Sequence, residues 1–146
     1  HERAGSTHIL HLHGELTKLR SSDDPSLVVP FGGIEQGFDD TAPDGSLLRP
    51  HIVFFGEPVP EFGRASALAA EDDIFVVIGT SLAVYPAASL VRCVRPEIPV
   101  YVVDPGRPAI RGIRNSLEVI RKCAGEGVPE LADRLREIYA EHPVHA

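Results

Sequence analysis

The run Ile74-Phe75-Val76-Val77-Ile78 places five apolar, mostly β-branched residues in succession. Such a run reads as a strand buried on both faces. A strand covered on both sides implies a parallel sheet flanked by helices. The run stops at Gly79, Thr80 and Ser81. Small residues there let the backbone turn sharply and let a ligand approach the main chain closely. In open α/β sheets, ligands sit beyond the carboxyl ends of the strands. The turn is therefore a candidate binding site, and it equally fits an ordinary strand-to-helix connection.

The flanking stretches suggest more of the same architecture. Ile9, Leu10 and Leu12, set among His8, His11 and His13, predict a short strand running into His13-Gly14-Glu15-Leu16. Residues 20–49 are broken by Gly32, Gly33, Gly37 and Gly45 and by Pro25, Pro30 and Pro43. They predict a long irregular excursion or a small inserted module. Its acidic residues lack calcium-loop spacing and fit a solvated loop better. Ile52–Phe55 is a strand candidate closed by Gly56, and Phe62, Ala65, Leu68 and Ala69 recur at helical spacing. Pro86 suits the first turn of a helix. Val100–Val103 is another short buried strand, ending at Asp104. A last helix is expected from near Pro129, with Val128, Leu131, Leu135 and Ile138 on one face. Alternating strands and helices make a parallel α/β sheet.

Composition narrows the function classes. A chain of 146 residues suggests one domain, and 43% apolar with 24% charged residues supports a core. A formal net charge of −7 with no basic stretch argues against broad nucleic-acid binding. No apolar run is long enough to cross a bilayer. Cys93 and Cys123 have no metal-site spacing and imply no disulfide framework, so a reducing, cytoplasmic setting is expected.

Three stretches together resemble the sirtuins, the silent-information-regulator family of NAD-dependent protein deacylases. They are Leu12-His13-Gly14-Glu15-Leu16, then Leu48-Arg49-Pro50-His51-Ile52-Val53-Phe54-Phe55-Gly56-Glu57, then Gly79-Thr80-Ser81-Leu82-Ala83-Val84-Tyr85-Pro86-Ala87-Ala88. The similarity implies the second half of a Rossmann-like parallel sheet with flanking helices. The family's glycine-rich phosphate loop matches nothing here, and His1-Glu2-Arg3-Ala4-Gly5 resembles the segment that follows it. The expectation is a partial catalytic domain over residues 1–146, its amino-terminal half supplied by the same or a separate chain.

The resemblance also implies roles. His13 becomes the general base, taking a proton from a ribose hydroxyl after an acyl-lysine has attacked the ribose carbon; an imidazole suits this near neutral pH. Taken alone, His13 also fits a structural histidine, and His11, expected on the same strand face, is the alternative base. Ile52, Val53, Phe54, Phe55, Gly56 and Glu57 become the substrate-binding stretch, offering a strand edge to an extended acyl-lysine peptide and an apolar sleeve to the acyl-lysine. Without a ligand, the same residues make a core strand. Gly79, Thr80 and Ser81 match contacts to the NAD phosphates and ribose. Asp104 stands where an acid commonly binds ribose hydroxyls, with Val102 replacing an asparagine common in that strand. Cys123 falls in the loop expected beside adenine.

Two departures and two rivals complete the expectation. Sirtuins usually carry two pairs of cysteines between the catalytic histidine and the Arg-Pro-His-like motif. Residues 15–49 contain neither cysteine nor histidine, so no thiolate zinc site is expected and the loop must hold its shape otherwise. The rivals to a deacylase are a non-catalytic module binding NAD or ADP-ribose, and an NAD glycohydrolase or ADP-ribosyltransferase on the same fold.

Overall fold

The computed structural model describes residues 1–33, 35–106, 108 and 110–140. Ile34, within the stretch read as irregular, and residues 141–146 of the expected domain lie outside the described residues. The chain divides into two compact units, His1–Glu61 and Phe62–Ala146.

The first unit is a small antiparallel sheet. Its strands are β1 (Gly14–Ser21), β2 (Val28–Pro30) and β3 (Leu48–Ile52), in the order β2-β1-β3. The predicted strand before His13 is not formed. Residues 6–11 have no regular structure, Leu12 and His13 lie in a turn closed by Gly14 N–H donating to His11 O at 3.1 Å, and the strand starts at Gly14. Gly14 has φ +86°, a left-handed conformation that ends any extended run through it. His11 and His13 therefore do not share a strand face. Residues 20–49, read as irregular, include the end of β1, all of β2 and the start of β3. The register of β1 on β3 slips between the pairs Gly14↔Ile52 and Leu19↔Pro50, which marks a bulge in β1.

Among its described residues this unit has few buried apolar ones, chiefly Leu19 and Ala42. A polar knot supplements them. Ser21 is 1% exposed; its Oγ donates to Asp44 Oδ2 at 2.7 Å, lies 2.6 Å from Ser46 Oγ, and accepts from the N–H groups of Asp23 and Asp24 at 3.0 and 2.8 Å. One hydroxyl thus ties the end of β1 to the turn after it and to the turn before β3.

The second unit is the parallel α/β layer structure. It runs α1 (Phe62–Glu71), β4 (Phe75–Ile78), a 3₁₀ helix (Ala87–Arg92), β5 (Val100–Val103), β6 (Leu117–Ile120) and α2 (Ala124–Ala140). The strands pair in parallel in the order β4-β5-β6, with Phe75↔Val100↔Leu117 and Ile78↔Val103↔Ile120 in register. On one face, Val77, Val100 and Val102 pack with Ala69 of α1 and with Val91, Val94 and Ile98. On the other, Val103 and Ile120 pack with Leu131 of α2. Gly127 permits the close approach of α2, since a Cβ there would stand 2.5 Å from Val103 Cγ1.

Several expectations need correction. β4 is not buried on both faces: Val77 is 6% exposed, but Val76 and Ile78 are 37% and 42% exposed. Among the described residues β4 lies at the edge of this three-stranded sheet and α2 packs over β5 and β6, so the doubly buried strand is β5, whose Val100, Val102 and Val103 are 0% exposed. The segment after Pro86 forms a 3₁₀ helix, not an α-helix. β6 is not evident from the sequence, because Glu118 interrupts its apolar run. Arg134 of α2 explains that residue, donating to both Glu118 oxygens at 2.6 and 2.8 Å. α2 begins at Ala124, with Pro129 inside its second turn. There the missing N–H deprives only the carbonyl one turn back, that of Gly125, of its usual donor.

Candidate functional site

The sequence-predicted residues fall into two groups, one in each unit. In the first unit, the register pairs Gly14 with Ile52, and the Val53 N–H donates to the carbonyl of His13 at 2.9 Å. The candidate base and the start of the candidate substrate stretch are therefore adjacent. A side chain on Gly14 is excluded outright, because its Cβ would stand 2.1 Å from the His51 carbonyl oxygen. His13 itself is exposed. The alternative, His11, has its Nε2 3.0 Å from Glu2 Oε1 and 3.6 Å from Glu15 Oε1, so that ring is held among carboxylates.

The substrate stretch is less strand-like than expected. β3 ends at Ile52. Phe54–Glu57 closes as a turn, Glu57 N–H to Phe54 O at 3.1 Å, with Gly56 at φ +86° in the position that favours glycine. Phe55 is 98% exposed at its tip. Glu57 does not point away from the unit. Its Oε1 accepts from Arg49 Nη1 at 2.7 Å, and its Oε2 accepts from the Phe54 N–H at 3.0 Å and lies 3.5 Å from Arg20 Nη2. Arg49 holds the Glu57 carboxyl below the usual carboxylate range, and the Phe54 N–H and Arg20 act in the same direction. The Arg49 guanidinium also stands 4.7 Å from the centre of the Phe54 ring.

A cavity of about 90 Å³ lies behind this group, lined by His11, Gly14, Arg20, His51 and Val53 among others. His51 Nδ1 is buried and has no hydrogen-bond partner among the described residues. Burial, then the Arg20 charge, holds the His51 pKa below its ordinary value. The sequence pattern alone does not mark Arg20, Arg49 and His51 as site residues. Arg49 and His51 lie within the Leu48–Glu57 stretch, but the role of Arg20 depends on a strand pairing that no local pattern reveals.

In the second unit, Gly79, Thr80 and Ser81 follow β4, Asp104 follows β5, and Cys123 lies between β6 and α2. All five stand at the carboxyl ends of three adjacent parallel strands, the place where open α/β sheets bind ligands. Gly79 has φ +62°, and a Cβ on it would meet nothing within 4 Å, so the space beside Gly79 is open among the described residues. The Thr80 hydroxyl accepts from the Leu82 N–H at 3.2 Å, and Leu82 carries the left-handed φ of 54°. Asp104 Oδ1 accepts from the Gly106 N–H at 2.7 Å. Among the described residues no hydrogen bond engages the other carboxylate oxygen, Oδ2, which can accept from a diol. Small residues, open space and one acid fit the phosphate and ribose side of a nucleotide. Cys123 is exposed, and its carbonyl accepts from the first-turn N–H groups of Glu126 and Gly127 at 3.0 and 2.9 Å.

Known proteins are similar over most of the chain. The model of the Sir2 family matches residues 1–86. A curated protein of Bacteroides thetaiotaomicron, named NAD-dependent protein deacylase, is 49% identical over 142 residues, covering 92% of this chain and 59% of that protein. A solved Sir2 homologue in complex with NAD superposes with a TM-score of 0.78 at 33% identity, covering 94% of this chain and 55% of that one. Sir2Tm bound to a propionylated peptide gives a TM-score of 0.65 at 28% identity, over 96% and 60% of the two chains. The chain thus spans between half and two thirds of the length of these relatives.

Proposed function

The chain belongs to the Sir2 family, and from that premise we propose that it serves NAD-dependent removal of acyl groups from protein lysine side chains, yielding nicotinamide and O-acyl-ADP-ribose. The observation that carries the reading is the tie between His13 and Val53. It brings the His13 main chain beside the end of β3, where an extended acyl-lysine peptide can pair with the main chain. His13 accepts the proton of a ribose hydroxyl, Ile52–Gly56 receives the peptide, and Gly79, Thr80, Ser81 and Asp104 bind the phosphates and ribose. NAD supplies the electrophilic ribose carbon and the nicotinamide leaving group. Cys123 borders the adenine side. A relative solved with NAD and another solved with a propionylated peptide support this assignment of ligands.

The same reading includes no structural zinc. Its support is the donor chemistry: residues 15–49 have no thiol or imidazole, and Ser21, Asp44 and Ser46 join the turns there by hydroxyl and carboxylate bonds. The net charge of −7 supports a protein or peptide partner over nucleic acid.

The test is nicotinamide release with and without an acetyl-lysine peptide, on the full-length protein. Release only with peptide is the expected result. Release without peptide indicates a glycohydrolase, and binding without release indicates a sensor. His13→Ala should lower turnover by about a hundredfold or more while leaving NAD affinity within a few fold. Turnover within tenfold of wild type removes His13 from the role, and His11→Ala is the control expected to do less.

A further inference from the structure

Two arginines face each other across the β1–β3 pairing, Arg20 opposite Arg49. Directly opposed residues of an antiparallel pair put their side chains on one face, where like charges repel. Both guanidinium groups turn to one carboxylate, that of Glu57, at 3.5 and 2.7 Å. The same carboxylate takes the Phe54 N–H, and Arg49 lies against the Phe54 ring. Both carboxylate oxygens are thus used inside the unit. A residue so engaged is poorly placed to bind a passing peptide, although it lies within the substrate stretch.

We infer that Glu57 is a positioning residue: it neutralises the Arg20–Arg49 pair and latches the Phe54–Glu57 turn onto the sheet, so that Phe54 is held ready for the acyl-lysine peptide. The inference rests on the reading that Ile52–Gly56 receives that peptide. The latch joins three separated parts of the chain, namely β1 through Arg20, β3 through Arg49 and the turn through Phe54. Its effect is preorganisation. A turn already fixed loses less conformational freedom when a ligand binds. Losing the latch should therefore raise the peptide requirement and leave the NAD requirement alone.

The experiment compares wild type, Glu57→Gln and the double variant Arg20→Gln/Glu57→Gln. Glutamine keeps an acceptor for the Phe54 N–H but removes the charge that separates the arginines. In Glu57→Gln, KM for an acetyl-lysine peptide should rise about tenfold, while KM for NAD and kcat stay within about twofold. The double variant relieves the repulsion and leaves Arg49 free to hold the side-chain oxygen of the substituted glutamine, so it should recover part of that loss. A contact made by Glu57 on the substrate would not be restored by removing Arg20, so failure of the double variant to recover overturns the positioning role. Amide exchange of residues 54–57 without peptide provides a readout independent of turnover. It should quicken in Glu57→Gln and slow again in the double variant, and unchanged exchange in Glu57→Gln overturns the latch. Absence of peptide-dependent turnover in wild type would instead count against the proposed function, and the exchange comparison would still decide the latch.

Discussion

Gly14 and His51 meet backbone to backbone, and that contact explains why no other residue fits at 14. Any Cβ would penetrate the His51 carbonyl at 2.1 Å, and φ +86° is strained for side-chain-bearing residues. The carbonyl belongs to a paired strand and cannot swing away cheaply. Gly14→Ala should cost about 3 kcal/mol or more, read as a fall in denaturation midpoint. His51 makes a different prediction. Its folded pKa lies below the unfolded value of 6.5, so the unfolded chain binds the extra proton first as pH falls. The stability contribution is complete above pH 6.5 and is lost as pH falls through the folded pKa. Melting curves from pH 7.5 down to 5 should show this loss, and His51→Gln should flatten it. An unchanged pH slope in His51→Gln would show that other groups carry it.

At the scale of elements, the first unit is held more by polar ties than by a core. The Ser21 hydroxyl meets four partners while nearly fully buried. Hydrogen bonds from Ser21 and then Ser46 hold the Asp44 carboxyl below its usual range, so the knot favours the ionised acid. Ser21→Ala should destabilise this unit by about 1–3 kcal/mol, because buried polar partners lose their shared atom. A chelator should leave the melting temperature of wild type unchanged, since a hydroxyl–carboxylate knot needs no metal. Melting that falls with chelator and is indifferent to Ser21→Ala would reverse this account. The second unit follows the opposite logic, with valines packed on both faces of β5 and a single bidentate ion pair joining β6 to α2.

At the scale of the whole molecule, the candidate groups divide between the two units. His13 and residues 52–57 lie in the first, and the strand-end cluster lies in the second. The proposed function assigns peptide binding to Ile52–Gly56 and the nucleotide's phosphates and ribose to the strand-end residues, so the two affinities can be tested by separate mutations. Ser81→Ala and Asp104→Ala should each weaken NAD binding by roughly tenfold while changing peptide affinity little. Titration calorimetry checks this directly. NAD affinity unchanged in both variants would remove the strand ends from the proposed site.

The linear pattern by itself determined the parallel strands β4 and β5, helix α1, and the strand-end position of Gly79, Thr80, Ser81 and Asp104. These follow from local rules: apolar runs, helical spacing and small residues at strand ends. Tertiary structure alone decided which strand is central. Val76 and Val102 are the same residue type in similar runs, yet one is 37% and the other 0% exposed, because among the described residues β5 has a strand on each side and β4 on one side. It also decided β6, whose Glu118 is intelligible only once Arg134 is brought alongside by α2. The sheet in residues 14–52 stayed hidden for the same reason, since glycines and prolines mask strands whose partners are distant in sequence. The Arg20–Glu57–Arg49 cluster is the clearest case. Nothing local pairs residues 20, 49 and 57, and only the antiparallel register puts two like charges face to face and calls for a carboxylate between them.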